Sequence, residues 1–292
     1  EGIFDKQGPY PLVVQSNAVC HLEASAVGKT IVRNWIATRG GGVIRVLDLA
    51  CGGSPVTVAE IMGHFRTMTF EYTGIDINSD QVKSADKFKY PPNVTRLAVI
   101  EGDAWNLRKQ DLNLEAYDLV FSGMNFHHGT PEELYFLATQ VHELLSEGGI
   151  LISHDFYRPN EIDYLRRPNH NPDNKKETYL LIDKESLMAS DIPDFDFTEH
   201  TLHDENDWRL EYINEYRLYL SKHGIAQTDI NNIMDHVHQR DFPVSTREII
   251  HILLRAGFAA KIHGFSDTNH PLRKYFAVVA AIKSKQVDID EE

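Results

Sequence analysis

One stretch constrains this chain more than any other: Val43-Ile44-Arg45-Val46-Leu47-Asp48-Leu49-Ala50-Cys51-Gly52-Gly53-Ser54-Pro55-Val56-Thr57, an apolar run that ends in an acid and a glycine turn. Val43, Ile44, Val46 and Leu47 supply the branched and aliphatic bulk of a strand covered on both faces. Gly52 and Gly53 allow dihedrals and close approaches denied to larger residues, and Pro55 suits the first turn of a following helix. The pattern predicts strand, tight turn, helix, which together make a crevice of the kind that holds nucleotide-like ligands.

Two ligand classes compete for such a crevice. A dinucleotide lays its pyrophosphate on the turn through G-x-G-x-x-G, the third glycine allowing close helix packing. That third glycine is absent here, and Asp48 stands just before the turn. A carboxylate repels a pyrophosphate but suits a ligand carrying an ammonium and a sulfonium. S-adenosylmethionine carries both and has no phosphate. Leu47 to Ser54 resembles the first motif of the class I S-adenosylmethionine-dependent methyltransferases, with Ser54 and Pro55 where the family usually has its last glycine.

The rest of the chain alternates around this unit. Residues 1 to 15, with Gly8-Pro9-Tyr10-Pro11, read as an extended arm, and Asn17 to Thr38 as a helix stopped by Gly40-Gly41-Gly42. A helix over Val56 to Phe65 leads to a second strand, Phe70 to Ile77, with Asp76 at its tip, placed to accept ribose hydroxyls. A helix to about Lys89 and a third strand, Val94 to Ile100, lead into Glu101-Gly102-Asp103-Ala104-Trp105. The fourth strand, Tyr117 to Met124, runs into Asn125-Phe126-His127-His128, and its Tyr-Asp-Leu-Val opening resembles the family's fourth motif. Thr130-Pro131-Glu132-Glu133 is a capping box for a helix ended by Gly148-Gly149, before a fifth strand over Ile150 to Phe156.

From Tyr157 to Pro243 the character changes to prolines, acids and two amphipathic helices, one near Glu205 to Lys222 and one near Thr228 to Gln239. Their apolar stripes, Trp208, Tyr212, Tyr216 and Leu220 on the first and Ile230, Ile233, Met234 and Val237 on the second, read as packing surfaces. A second capping box at Ser245-Thr246-Arg247-Glu248 opens a helix, and Phe258 to Phe265 and Tyr275 to Ile282 form an antiparallel pair. The expected fold is therefore α/β, a doubly wound seven-stranded Rossmann-like sheet, with its last strand antiparallel as the resemblance implies. Its parts are an N-terminal arm and helix over 1–42, the cofactor-binding domain over 43–156 and 244–283, a helical lid over 157–243 inserted after strand five, and an acidic tail over 284–292.

Composition narrows the partners. Lys plus Arg number 29 against 43 for Asp plus Glu, a formal charge of −14 with no basic tract, which disfavours nucleic acid and anionic membranes. Only Cys20 and Cys51 occur, no apolar run is long enough for a bilayer, and the first ten residues lack the pattern of a signal peptide. A cytoplasmic protein, alone or as a homodimer, is the expectation.

The resemblance implies S-adenosylmethionine as cofactor, with Asp48, Ala50, Gly52, Gly53, Asp76, Ile77, Gly102, Asp103, Ala104 and Ser122 around it. Methyl transfer is an in-line displacement, so the protein mainly aligns the acceptor and excludes water. Where the acceptor must lose a proton, the candidate bases are His127, His128 and His154, at the ends of strands four and five, with the first two favoured. No metal-binding set is assigned, since Asn125, His154 and Asp155 lack a diagnostic spacing. The loop also lacks the Asn/Asp-Pro-Pro-Tyr/Phe sequence that many methylases of amino groups on nucleic-acid bases and glutamine carry; with the acidic charge and the expected roof, that favours an oxygen or nitrogen of a small organic acceptor. An NAD-dependent oxidoreductase on a similar sheet and a non-catalytic binding subunit of this fold remain the rival readings.

Overall fold

The structure, a computed structural model, describes residues 8–39, 41–107, 112, 116–158, 205–241, 243–265 and 269–283. The tail over 284–292 and the first half of the expected lid, 159–204, lie outside the described residues. A short helix α1 (Tyr10–Gln15) and a long α2 (His21–Arg39) precede β1 (Val43–Leu49), α3 (Val56–His64), β2 (Thr69–Asp76), α4 (Ser79–Asp86) and β3 (Val94–Glu101). Then follow β4 (Tyr117–Gly123), α5 (Pro131–Leu144), β5 (Leu145–Phe156), α6 (Glu205–Lys222), α7 (Gln227–Arg240), α8 (Thr246–Arg255), β6 (Phe258–Gly264) and β7 (Phe276–Lys283).

The seven strands form one sheet in the order β3-β2-β1-β4-β5-β7-β6. β1 to β5 pair in parallel, while β7 runs antiparallel to both neighbours, as the late strand-turn-strand pattern requires. Alternate residues feed opposite cores. Ile44, Val46, Phe70, Tyr72, Phe121 and Ile152 pack with α1, α2, α3, α6 and α7, whereas Leu47, Leu49, Val120, Leu151 and Val279 pack with α5 and α8. Order reversal beside β1 opens the cleft at the carboxyl ends of β1 and β4, where ligands of such sheets bind.

Both capping boxes form: Thr130 Oγ1 accepts from the Glu133 N–H and Ser245 Oγ from the Glu248 N–H, each glutamate answering on the cap residue's own N–H. Two expectations are corrected. The arm over 1–15 is helical from Tyr10, because Pro9 and Pro11 sit in the first turn, where a missing N–H costs nothing. The helix before β5 stops at Leu144 and not at the Gly148-Gly149 pair; Leu145 is already paired with Tyr117, and Gly148 takes a left-handed φ of 71° within the extended segment.

Candidate active site

Three strand tips shape the first half of the site. After β1 the chain turns at Ala50 and Gly52, with φ of 52° and 60°, a left-handed conformation that alanine adopts only under local constraint. The Cys51 N–H donates to the Ile75 carbonyl at 3.0 Å, so β1–β2 pairing extends into the turn. Asp76, at the end of β2, then holds the crevice together, with Oδ2 accepting from the Gly52 N–H and Oδ1 from the Asn78 N–H, both at 2.9 Å. Asn78, not Asp76, caps α4 by accepting from the Asp80 and Gln81 N–H groups. Beside it Ile77 is 72% exposed, an apolar side chain standing at the mouth of the crevice.

The two glycines do different work. A Cβ on Gly52 would have only Gln81 Oε1 near it, at 4.0 Å, whereas one on Gly53 would meet Gln81 Oε1 at 2.7 Å and Ser84 Cβ at 2.9 Å. Gly53 is therefore a helix-packing glycine, its N–H donating to Gln81 Oε1, and Gly52 leaves the turn open to a ligand. Asp48 is buried and accepts from the Tyr72 hydroxyl at 2.8 Å. Burial pushes its carboxyl up to about 8, against the pull of the Tyr72 hydrogen bond, so an uncharged form is favoured in the empty crevice and a cation beside it favours the charged one.

At the tip of β3, Gly102 donates its N–H to the Asp76 carbonyl, and Asp103 Oδ1 accepts from the Trp105 N–H at 2.9 Å. Ala104 is buried, and Trp105 donates its indole N–H to Asn125 Oδ1 at 3.1 Å, linking this turn to the loop after β4. Ser122 is buried at the end of β4, with the Asn125 amide 3.4 Å away.

The second half of the site lies past β4 and β5. Met124 has a left-handed φ of 54°, and the next residues enter a 3-10 turn over Phe126–His128. Asp155, fully buried on β5, fixes that turn: Oδ2 accepts from the Asn125 and Phe126 N–H groups at 3.0 and 2.6 Å, and Oδ1 lies 2.6 Å from His127 Nδ1. Burial opposes an imidazolium at His127, but the charges of Asp155 and Asp241 outweigh it and raise the pKa above the ordinary value. Burial, with the neighbouring His127 charge, drives His128 down to about 3 and His236 to about 4. Asp241 is pushed up to about 6 by burial, with His127 pulling the other way.

The side chain of His127 reaches across to the roof. Asp241, just past α7, places Oδ1 3.7 Å from His127 Nε2, 3.5 Å from His128 Nδ1 and 3.6 Å from His236 Nε2. Around them is a narrow cavity of about 40 Å³. Tyr10, Val13, Val19 and Met124 line its floor, and Tyr212, Tyr216, Ile233 and Val237 of α6 and α7 its ceiling. A wider depression of about 420 Å³ beside Lys29, Glu60, His64 and Lys89 is open to solvent and holds none of the strand-tip acids.

The predicted residues thus divide. Asp48, Ala50, Gly52, Asp76, Gly102, Asp103 and Ala104 gather at the tips of β1, β2 and β3, and His127 and His128 meet with ring centroids 4.0 Å apart. His154 does not join them: it faces the other side of β5 from Asp155, with the Phe265 and Phe276 rings each 6.1 Å away. Burial holds its pKa near 4. Asn125, His154 and Asp155 accordingly form no ligand set. Sequence reasoning missed Tyr72, His236 and Asp241. Tyr72 is identified by strand parity, since it shares a face with Asp48 across the β1–β2 pair, but nothing in the sequence ties Asp241 to the His-His pair. Tyr10, from the N-terminal segment read as an arm, lines the cavity.

Comparison with known proteins gives a consistent answer. Residues 42–209 match the family model described as a methyltransferase domain. An uncharacterised methyltransferase of Synechocystis sp. is 30% identical over 115 residues, 39% of this chain and 48% of the relative, so the match spans about half of that protein's length. Among solved structures, the plantazolicin methyltransferase BamL, in complex with a triazolic desmethylPZN analogue and SAH, superimposes with a TM-score of 0.58 at 11% identity, over 97% of this chain and 93% of that one. BpumL in complex with SAH gives 0.56 at 12% identity over the same shares, and the CurJ carbon methyltransferase gives 0.52 at 14% identity over 94% and 58%. These distant likenesses show the fold, the seven-stranded sheet with its antiparallel last strand. With the family model matching more than half of its length, this chain belongs to the methyltransferase-domain family.

Proposed function

We propose that this chain transfers the methyl group of S-adenosylmethionine to an oxygen or nitrogen of a small organic acceptor held under the α6–α7 roof. The observation that carries the reading is the line of strand tips, Asp48, Gly52, Asp76 and Asp103, ending beside a chamber whose polar wall is a histidine held by a buried aspartate. When bound, the cofactor supplies an electrophilic methyl on a sulfonium. This chain's own residues do the rest.

The crevice fits that cofactor on its own geometry. Each Asp76 oxygen takes one backbone N–H, which fixes the carboxylate while leaving lone pairs for the two ribose hydroxyls. Ile77 offers exposed apolar surface to the adenosine, and Asp103 lies at the adenine end. Asp48, held protonated by burial, ionises when an ammonium arrives, which favours a cationic ligand over a phosphate.

At the acceptor end, Asp155 holds Nδ1 of His127, so Nε2 faces the chamber and takes the acceptor's proton. His128 stays neutral beside it and orients the acceptor. The chamber is far below the 300–1,000 Å³ or so of ordinary ligand pockets. Entry of the acceptor therefore requires α6 and α7 to lift, and their return excludes water.

Calorimetry with S-adenosylmethionine, S-adenosylhomocysteine and NAD tests the first half, and a metabolite panel scored for S-adenosylhomocysteine release tests the second. Binding of the first two with no response to NAD supports the reading. Retention of NAD with indifference to both adenosyl ligands would replace it with an oxidoreductase.

A further inference from the structure

The acceptor chamber carries a second feature that base catalysis does not need: three imidazoles converge on one carboxylate oxygen. We propose that His127, His128, His236 and Asp241 bind a single divalent transition ion, zinc by choice of donors, which ties the roof to the sheet. The site deepens the reading above by naming a regulator of the same chamber, and its existence does not depend on methyl transfer.

Four observations converge. The three nitrogens stand 3.5, 3.6 and 3.7 Å from Asp241 Oδ1, and the donor atoms of His127, His128 and Asp241 all lie within 4.8 Å of one another. Tetrahedral zinc with bonds of about 2.0–2.1 Å places its ligand atoms roughly 3.3–3.4 Å apart. The three carboxylate-to-imidazole distances need to shorten by only a few tenths of an ångström, while the imidazoles must also draw together around the ion, His236 moving in last, since it stands outside the 4.8 Å cluster of the other three. Asp241 is 4% exposed, and its Oδ1 takes no hydrogen bond among the described residues. A buried carboxylate oxygen left in that state is costly, and an ion satisfies it.

Asp155 makes the third argument. By holding Nδ1 of His127 at 2.6 Å it directs Nε2 at Asp241, the carboxylate–histidine arrangement that orients metal ligands from behind. The fourth is space. A cavity of about 40 Å³ admits an ion with a water but no organic acceptor. His128 Nδ1 also lies 3.3 Å from the Arg240 carbonyl, so coordination requires the tautomer with its proton on Nε2.

The donors come from two layers. His127 and His128 belong to the loop after β4, while His236 and Asp241 belong to the end of α7, so the ion staples the chamber shut. It also takes the His127 nitrogen that would accept the acceptor's proton. Zinc loading is therefore expected to slow turnover and to raise the melting temperature.

The test uses the full chain stripped with a chelator and then titrated with Zn2+ against a chromogenic competitor, and with Co2+ for its visible tetrahedral spectrum. One equivalent per chain is expected, with intense Co2+ bands. Asp241→Asn and His236→Ala should each weaken zinc by about 100-fold or more, and Asp155→Asn by about 10–100-fold, as for groups that orient a ligand. His238→Ala, on the exposed side of α7, should leave the affinity unchanged. Zinc binding that is equal in wild type, Asp241→Asn and His236→Ala, or a Co2+ spectrum of octahedral type, overturns the site. Calorimetry with S-adenosylmethionine on the same samples separates the two readings. Loss of the zinc result alone removes the ion, and loss of cofactor binding alone removes methyl transfer.

Discussion

The strand-tip crevice and the histidine chamber are neighbours built in opposite ways. The crevice is assembled from three strand tips by short-range rules: a turn that needs left-handed backbone, an acid that takes backbone N–H groups, a glycine packed on the next helix. The chamber is assembled from side chains that meet only when α7 folds back over the loop after β4, with Asp241 facing His127 and His128. The first is fixed by backbone hydrogen bonds and the second by charge and burial. The crevice should therefore tolerate changes to the roof, and the chamber should fail when either of its buried carboxylates, Asp155 or Asp241, is altered.

The largest effect is expected from Asp155→Asn. Removing the charge behind His127 breaks a buried pair, a class of change that costs about 3–5 kcal/mol. Denaturant unfolding checks that loss. In the metal-free protein, turnover should fall about 100-fold or more, the lower range for loss of a positioned base. The affinity for S-adenosylmethionine, measured on the folded fraction, should stay within a few-fold, because no strand-tip acid has changed. Wild-type turnover should rise with pH through a midpoint above the ordinary 6.5 of histidine, and that midpoint should drop in the variant. A midpoint that does not move would remove Asp155 as the positioning residue.

Asp76→Ala comes next and strikes the other region. Two hydrogen bonds to a charged group, at about 1.5–3 kcal/mol each, would be lost to the ribose, so calorimetry should show cofactor binding weakened by about 100-fold or more. Unchanged affinity would remove the ribose assignment. Parallel loss in Asp76→Ala and Asp155→Asn would show that the two regions are one cooperative unit.

Asp48→Asn should cost about tenfold in cofactor affinity, the loss of one charge-assisted contact to the ammonium. It also has a stability signature with a definite sign. The native carboxyl is raised to about 8, so between the ordinary 3.8 and about 8 the folded chain holds a proton that the unfolded chain releases. Wild-type stability contributed by this group is full below that window and declines as the pH rises through it, whereas the asparagine variant should show no such decline from this position. Melting temperatures measured from pH 5 to 8 read the difference.

The smallest effect is expected at Ala50. With φ at 52°, Ala50→Gly relieves left-handed strain and should stabilise the chain by about 1 kcal/mol, as thermal unfolding would measure. A destabilised variant would mean that the methyl group's packing outweighs the strain.

Much of the crevice was legible in the residues. The strands, the helix caps and the acids at strand tips follow from periodicity and turn chemistry, which act within a few residues. The same local logic misjudged residues 1 to 15, where Pro9 and Pro11 open a helix, because proline signals both a break and a first turn. It marked Gly53 only as a cofactor glycine and did not show that the residue is also needed for close packing against Gln81 and Ser84 of α4. His154 was a candidate by its position at a strand end, but the parity of β5 turns it toward Phe265 and Phe276.

What the sequence determined by itself is the α/β alternation, the order of its elements and the acid-and-glycine crevice, since each depends on neighbours along the chain. Only the tertiary structure decided which histidine faces the chamber, that Asp155 and not His154 supports it, and that Asp241 completes the cluster. Burial and charge pairing between residues far apart in the chain leave no local pattern to read, and they exist only once α7 has come down over the sheet.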